Sequence, residues 1–190
     1  MRDRTARDKR ETAPRSTRRA CLVPSRVRRR TLLSALLFVA TLSAFALGIA
    51  WLMGREGAMT TLQGGIARIT SGILNLLGNR TTVVGTTVQS ARFSISVVTA
   101  CTGLFLIAGF AAAVLAYPAR LRAKLLGIAL GIAAIFGLNI VRLVSLYYIG
   151  IYLPTYLDLA HLLVWQSLLI ASTLFLWLLW AGKVTGARRA

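Results

Sequence analysis

From Leu32 to Met53 the chain carries no charged residue and almost no polar one. A helix needs roughly 20 such residues to cross the hydrocarbon of a bilayer, and inside hydrocarbon only a helix or a closed barrel satisfies its own backbone. Three more apolar runs follow: Cys101 to Tyr117, ended by Pro118; about Leu125 to Tyr148; and about His161 to Trp180. With 56% hydrophobic residues and a mean hydropathy of +0.69, the chain is too apolar for an ordinary soluble fold. The expectation is an all-α integral membrane protein, a bundle of about four transmembrane helices.

The net charge of +18 does not mark a nucleic-acid-binding face, because about half of the basic residues lie before position 31 and no aromatics are interleaved with them. That segment has few large apolar residues and includes Asp3, Asp8, Glu11 and two prolines, a composition that predicts a disordered tail over residues 1–30. Its two readings are contact with anionic membrane lipid or nucleic acid and, preferred, a topology signal before the first span. A cleaved signal peptide, even a twin-arginine one given Arg28, Arg29 and Arg30, fits less well than an uncleaved anchor, since such signals have apolar cores of about 7 to 15 residues. Arg120, Arg122 and Lys124 between the second and third runs, and Lys183, Arg188 and Arg189 after the fourth, repeat the basic bias. By the positive-inside rule these clusters and both termini are cytoplasmic, in the inner membrane. The implied domains are the tail, a membrane-embedded unit over 31–183, and a second basic tail over 184–190.

The other side receives residues 54–100 and the short 149–160 loop. Leu62, Ile66, Ile69, Ile73 and Leu77 recur at helical spacing, which predicts an amphipathic helix over 60–78 lying on the outer leaflet. TTVVGTTV and ARFSISVV are β-rich, with Phe93, Ile95 and Val97 alternating against serines, and predict a small β-hairpin that leads directly to Cys101. The two cysteines, Cys21 and Cys101, fall on opposite sides in this topology and are too few for a disulfide scaffold or a cysteine-rich metal site.

Ionisable residues within spans are rare and mark cavities or bundle interiors. Arg142 lies about 25 Å along the third helix from Leu125, near its outer end. Cys101 opens the second run and His161 the fourth, so three chemically useful side chains reach one depth on the outer side. A thiol at a helix start, with a guanidinium nearby, is favoured as the nucleophilic thiolate. Thr99 and Thr102 can cap that start. His161 can exchange a proton with Cys101 and protonate a leaving amine, and Arg142 can stabilise an oxyanion or hold a substrate carboxylate. In supporting roles, Asn139 can orient Arg142 and Asp158 can orient His161. Taken singly, each residue is more often a packing, snorkelling or interface residue; their agreement in depth is what singles them out.

The strings TACTGLFLIAGF around Cys101, NIVRLVSLYYIG around Arg142, and His161 followed by Trp165 and Gln166 resemble the exosortase and archaeosortase family over about residues 83–181. The short chain is similar to a compact, single-domain type such as exosortase H. The resemblance implies a membrane cysteine protease or transpeptidase acting on secreted proteins that end in a short motif, a transmembrane helix and a basic cluster. Cys101 would carry the acyl-enzyme, with Arg142 and His161 completing the site. No HExxH, glycine-rich phosphate loop or aspartyl pair is present, so neither metal nor organic cofactor is expected. The competing reading is a non-catalytic assembly factor or small transporter subunit, in which Arg142 is structural or binds an anion and Cys101 packs. The charge pattern predicts that reporters fused at either terminus are active only in the cytoplasm. A membrane-impermeant thiol reagent should label Arg92→Cys from outside intact spheroplasts, and labelling only after lysis would invert the topology.

Overall fold

The structure is a computed structural model that describes residues 25–186; the basic tail with Cys21, and Arg188 and Arg189, lie outside the described residues. The chain is mostly helical. Helix α1 (Ser25–Met53) is followed by α2 (Glu56–Leu76), a three-stranded sheet of β1 (Thr82–Val84), β2 (Thr87–Gln89) and β3 (Ser94–Ser96), and a 3-10 turn at Thr99–Cys101. Then come α3 (Leu104–Ala116), α4 (Leu121–Tyr152), a 3-10 turn at Pro154–Tyr156, the single turn α5 (Leu157–Leu159), a π-helical stretch Ala160–Trp165, and α6 (Gln166–Gly186).

Among the described residues, three stretches are long and apolar enough to cross a membrane: Thr31–Met53, Leu121–Tyr152 and Pro154–Gly186. The expected second span is shorter. Helix α3 has 13 residues, about 20 Å at 1.5 Å per residue, because the run from Cys101 begins as a 3-10 turn and an αL glycine, and Pro118 stops it. A plain apolar count across Cys101–Tyr117 hides that break. Large apolar side chains such as Leu36, Leu47, Leu163 and Phe175 stand exposed around α1 and α6, as a lipid-facing surface requires.

The three long apolar helices α1, α4 and α6 and the shorter α3 share one basic end. Tyr117 at the end of α3 and Thr185 at the end of α6 are joined by a hydroxyl–hydroxyl hydrogen bond of 2.7 Å. Trp180 on α6 donates to the Ala123 carbonyl in the first turn of α4 at 3.1 Å, and Lys124 donates to the Leu115 carbonyl of α3. The start of α1 meets the same region, where Thr31 shares a cavity with Tyr117 and Pro118. Arg120, Arg122, Lys124 and Lys183 therefore cluster at this end, opposite Cys101.

At the other end α4 outruns the bundle. Its 32 residues span about 48 Å, against roughly 30 Å of hydrocarbon, and its last third enters a cap made by α2 and the sheet. Leu143 and Tyr147 of α4 pack with Ile66, Ala67 and Leu74 of α2, Val88 of β2 and Val97 in one buried cluster that also includes Cys101. The predicted amphipathic helix exists, but its buried face is Ile66, Ala67, Thr70 and Leu74, turned toward protein; Leu62, Ile69 and Leu77 are exposed. The stripe chosen from periodicity is displaced by about one residue, because small Ala67 and polar Thr70 make the close contacts.

The predicted hairpin is present and gains a third strand. β1 and β2 pair antiparallel with Val83 opposite Val88, and β2 pairs antiparallel with β3, Val88 opposite Ile95. The link from α2 is closed by Gly78 at φ 87, where Gly78 N–H donates to the Asn75 carbonyl and Asn79 N–H to that of Leu74. This is the Schellman pairing that a residue without Cβ makes easy. Asn75 Oδ1 then accepts from Thr81 N–H at 2.7 Å, Asn79 Nδ2 donates to the Tyr148 hydroxyl at 2.7 Å, and the Tyr147 hydroxyl donates to Ser90 Oγ at 2.8 Å. The cap is thereby fixed to α4, and the chain leaving β3 reaches Cys101 in a set position.

Helix α4 also packs tightly against α3. A Cβ at Gly131 would collide with the Phe110 ring, and that ring is itself buried beside Val114 and Ile135. Gly131→Ala is expected to lose about 1 to 3 kcal/mol through overpacking, read as a lowered thermal midpoint in detergent. Gly137→Ala, with nothing within 4 Å of the new Cβ, should be neutral or gain up to about 1 kcal/mol.

Candidate active site

The turn that carries Cys101 is neither helix nor strand. Thr99–Cys101 forms one 3-10 turn, with Cys101 N–H donating to the Val98 carbonyl at 2.8 Å. Gly103 then takes φ 71, a left-handed conformation that favours glycine, and α3 begins at Leu104. Cys101 thus stands in the turn before the helix, not in its first residue as the apolar run suggested. Thr102 Oγ accepts from Leu104 N–H at 3.3 Å and donates to the Thr99 carbonyl at 2.7 Å. The Thr99 hydroxyl accepts from Gln63 Nε2 of α2 at 3.2 Å, so the cap also grips this turn.

Asn139, completely buried in α4, donates from Nδ2 to the Cys101 carbonyl at 2.6 Å. It does not hydrogen-bond Arg142, as the helical spacing suggested; its short side chain points across to the turn. Gly103 lies against it, where an added Cβ would meet the Asn139 side chain at 3.5 Å. One asparagine therefore fixes the cysteine backbone and fills the space beside the αL glycine.

The three sequence-predicted residues meet. Cys101 Sγ lies 3.5 Å from His161 Nε2, within hydrogen-bonding reach for sulfur. Arg142, only 2% exposed, lines the same cavity as His161 and is close enough to act electrostatically on both Cys101 and His161. Its Nε has no hydrogen-bond partner among the described residues, and no ion pair forms among them. It stands 21 residues beyond the first residue of α4, about 32 Å, close to one hydrocarbon thickness. Asp158 is exposed and makes no hydrogen bond to His161; it reaches the ring only through its charge.

The cavity has a volume of about 300 Å³ and is walled by Gly103, Phe105, Arg142, His161 and Gln166, among others. His161 and Gln166 are five residues apart across the π-helical stretch Ala160–Trp165. Because π-helical pairing runs from i to i+5, both can face the cavity. A role for Gln166 is not legible from its neighbours, since nothing in local composition signals a π-helix. The other missed feature, the grip of Asn139 on the Cys101 carbonyl, joins positions 38 residues apart and has no local signature; Gly103 after the cysteine was the one hint of a non-helical turn.

A thiol beside an imidazole, with an unpaired guanidinium on the cavity that the imidazole lines, is an arrangement suited to acyl transfer. The transmembrane exosortase family (Exosortase_EpsH) matches residues 26–180. The chain belongs to this family. The match extends the resemblance read from residues 83–181 back through the cap and α1. No curated protein and no solved structure matches the chain significantly. As an exosortase-family chain with three membrane-length apolar helices, it is a membrane protein.

Asn139→Ala is expected to leave the Cys101 carbonyl without its donor and to destabilise the protein by about 1 to 3 kcal/mol, read as a lower thermal midpoint in detergent. Asn139→Asp should behave similarly, because a carboxylate has no N–H to donate.

Proposed function

We propose that this chain is a membrane-embedded cysteine transpeptidase that cuts secreted proteins at C-terminal sorting signals, with its site at the outer face of the cytoplasmic membrane. The observation that carries the reading is the 3.5 Å approach of Cys101 Sγ to His161 Nε2, together with a buried Arg142, its Nε without a partner among the described residues, on the cavity that His161 lines. Family membership supports the same chemistry.

His161 takes the proton of the Cys101 thiol, and the thiolate attacks the scissile carbonyl carbon, forming a C–S bond. The resulting oxyanion faces Arg142, whose Nε–H and charge stabilise it without a competing carboxylate. Collapse breaks the C–N bond, and the imidazolium returns its proton to the departing amine. An acceptor amine, or water, then attacks the thioester, His161 takes its proton, and Cys101 leaves as the thiol. Asn139 acts earlier, by holding the cysteine backbone, and Asp158 stabilises the imidazolium through its charge.

In this topology α3 serves as a short fourth crossing. The turn at Thr99–Gly103 lies at the outer boundary, beside a mostly apolar cavity into which Arg142, His161 and Gln166 bring polar groups. The shared basic end of α1, α3, α4 and α6 then faces the cytoplasm, and the α2–sheet cap lies outside.

A reporter exported with a C-terminal signal from the source organism, co-expressed with the chain, tests the reading by mass shift. Cys101→Ala and Cys101→Ser should both abolish processing, and His161→Ala should slow it by about 10² to 10⁴-fold. Arg142→Lys should also be impaired, since a point charge does not reproduce the guanidinium fork. Unchanged processing in Cys101→Ser with loss in Arg142→Ala would favour a thiol-independent, anion-binding protein instead.

A further inference from the structure

Toward the basic end, the bundle holds a second, larger cavity of about 820 Å³ between α1, α3 and α6. Its wall on α1 runs from Thr31 to Phe38 and its wall on α6 from Ile170 to Trp177, each at i, i+3, i+4 and i+7. That spacing is the stripe one helix offers to another. The floor on α3 includes Gly109 and Ala113, a small-xxx-small pair that permits close backbone approach. Three helices thus present packing faces to a volume the size of part of a further helix. Trp177, which lines this groove, has its indole N–H buried without a partner among the described residues.

The groove adjoins the cavity beside the thiol: Phe105, Leu106 and Ile170 line both, and His161 of that cavity lies 3.5 Å from Cys101 Sγ. A polypeptide with its scissile bond at Cys101 therefore has the groove next to it. The lining is almost wholly carbon, so a segment entering it finds few partners for its backbone and must satisfy its own N–H and C=O groups as a helix. From Phe105 to Ala116 the floor runs about 16 Å, enough for three helical turns of the guest. A lipid chain would fill the volume but would place nothing at the sulfur.

We propose that the α1–α3–α6 groove seats the membrane helix of the polypeptide cut at Cys101, the helix packing as an extra member of the bundle with its scissile peptide leading into the thiol cavity. This rests on the reading of Cys101 as the nucleophile. Specificity for the guest then lies partly in its helix, where small residues meet Gly109 and Ala113, and not only in the residues beside the cut.

The test places a photo-crosslinking amino acid at Ala113 on the floor, at Thr173 on the α6 wall, and at Gly137, an exposed α4 position outside the groove. Each is made in a Cys101→Ala background with the exported reporter that ends in a C-terminal signal. Adducts to the reporter's terminal helix from Ala113 and Thr173, in at least about tenfold excess over Gly137, are the expected result. Adducts only to lipid, only to a second copy of this chain, or equal yields at all three positions would overturn the proposal. A shortened reporter in the Cys101→Ala background would separately sink the nucleophile reading and leave the adduct result to be judged alone. With Cys101 intact, Ala113→Trp should cut processing by at least about tenfold while a small alkylating reagent labels Cys101 at the parental rate. Parental processing with the groove so filled would also overturn it.

Discussion

The hydrogen bond from Asn139 to the Cys101 carbonyl, 2.6 Å long and completely buried, meets the hardest demand in this structure. The cysteine occupies an irregular turn at the mouth of an apolar bundle, and irregular backbone at such depth survives only where protein or a water-filled cavity satisfies it. A regular helix beginning at Cys101 would need no such partner, but its thiol would then follow the helical screw. The 3-10 turn and αL Gly103 free the thiol from that screw, Asn139 supplies the donor the broken backbone lacks, and the 3.2 Å hydrogen bond from Gln63 to Thr99 ties the turn to the cap. The cap in turn is held by the outer third of α4, the helix that carries Asn139. One helix therefore supports the turn from below and from above.

The same helix holds Arg142 one turn further on, and here the structure tolerates an evident cost. A guanidinium that is 2% exposed with Nε unpaired has lost water without gaining a carboxylate, a state that an internal ion pair would relieve. The cavity is where that deficit opens, beside His161 and within electrostatic reach of Cys101. On the proposed function, a donor left unsatisfied in the resting state would meet developing negative charge without having to break an existing hydrogen bond. Pairing Arg142 internally would relieve the buried charge and remove that readiness.

Sequence reading located what depends on composition and missed what depends on distant pairing. The outer two spans and α4 followed from unbroken apolar runs, and the common basic end followed from charge. Cys101, Arg142 and His161 stand out in the sequence because arginine and histidine are conspicuous in hydrocarbon, and they come together in the structure because successive helices alternate direction, so residues at the right ends are brought to one level. Helix α3 came out shorter than its apolar run because hydropathy cannot tell a 3-10 turn from the first turn of a helix. The buried face of α2 was shifted because Ala67 and Thr70 bury completely while larger Leu62 and Ile69 stay exposed. The role assigned to Asn139 came from i to i+3 proximity, whereas its partner lies on another segment, and the π-helical offset that lets His161 and Gln166 share a cavity has no signature in residue type.

The two cavities differ in how tightly their surroundings are packed. Around the upper one the backbone is held from several sides, although Asn139 Oδ1 and Arg142 Nε stay without partners among the described residues: the cap grips the turn, α4 grips the cap, and the π-helical stretch carries the imidazole. Around the lower one the packing is left incomplete, with α1 and α6 both resting on α3 and a groove between them. If α1 closed onto α6, the bundle would bury more apolar surface than it now does, and in water that loss would be hard to sustain. In a bilayer it is not, because lipid chains are as apolar as the leucines they touch and little driving force pulls helices together. The membrane thus makes a standing groove inexpensive, and the interlocking contacts are concentrated where a sulfur and an imidazole lie 3.5 Å apart.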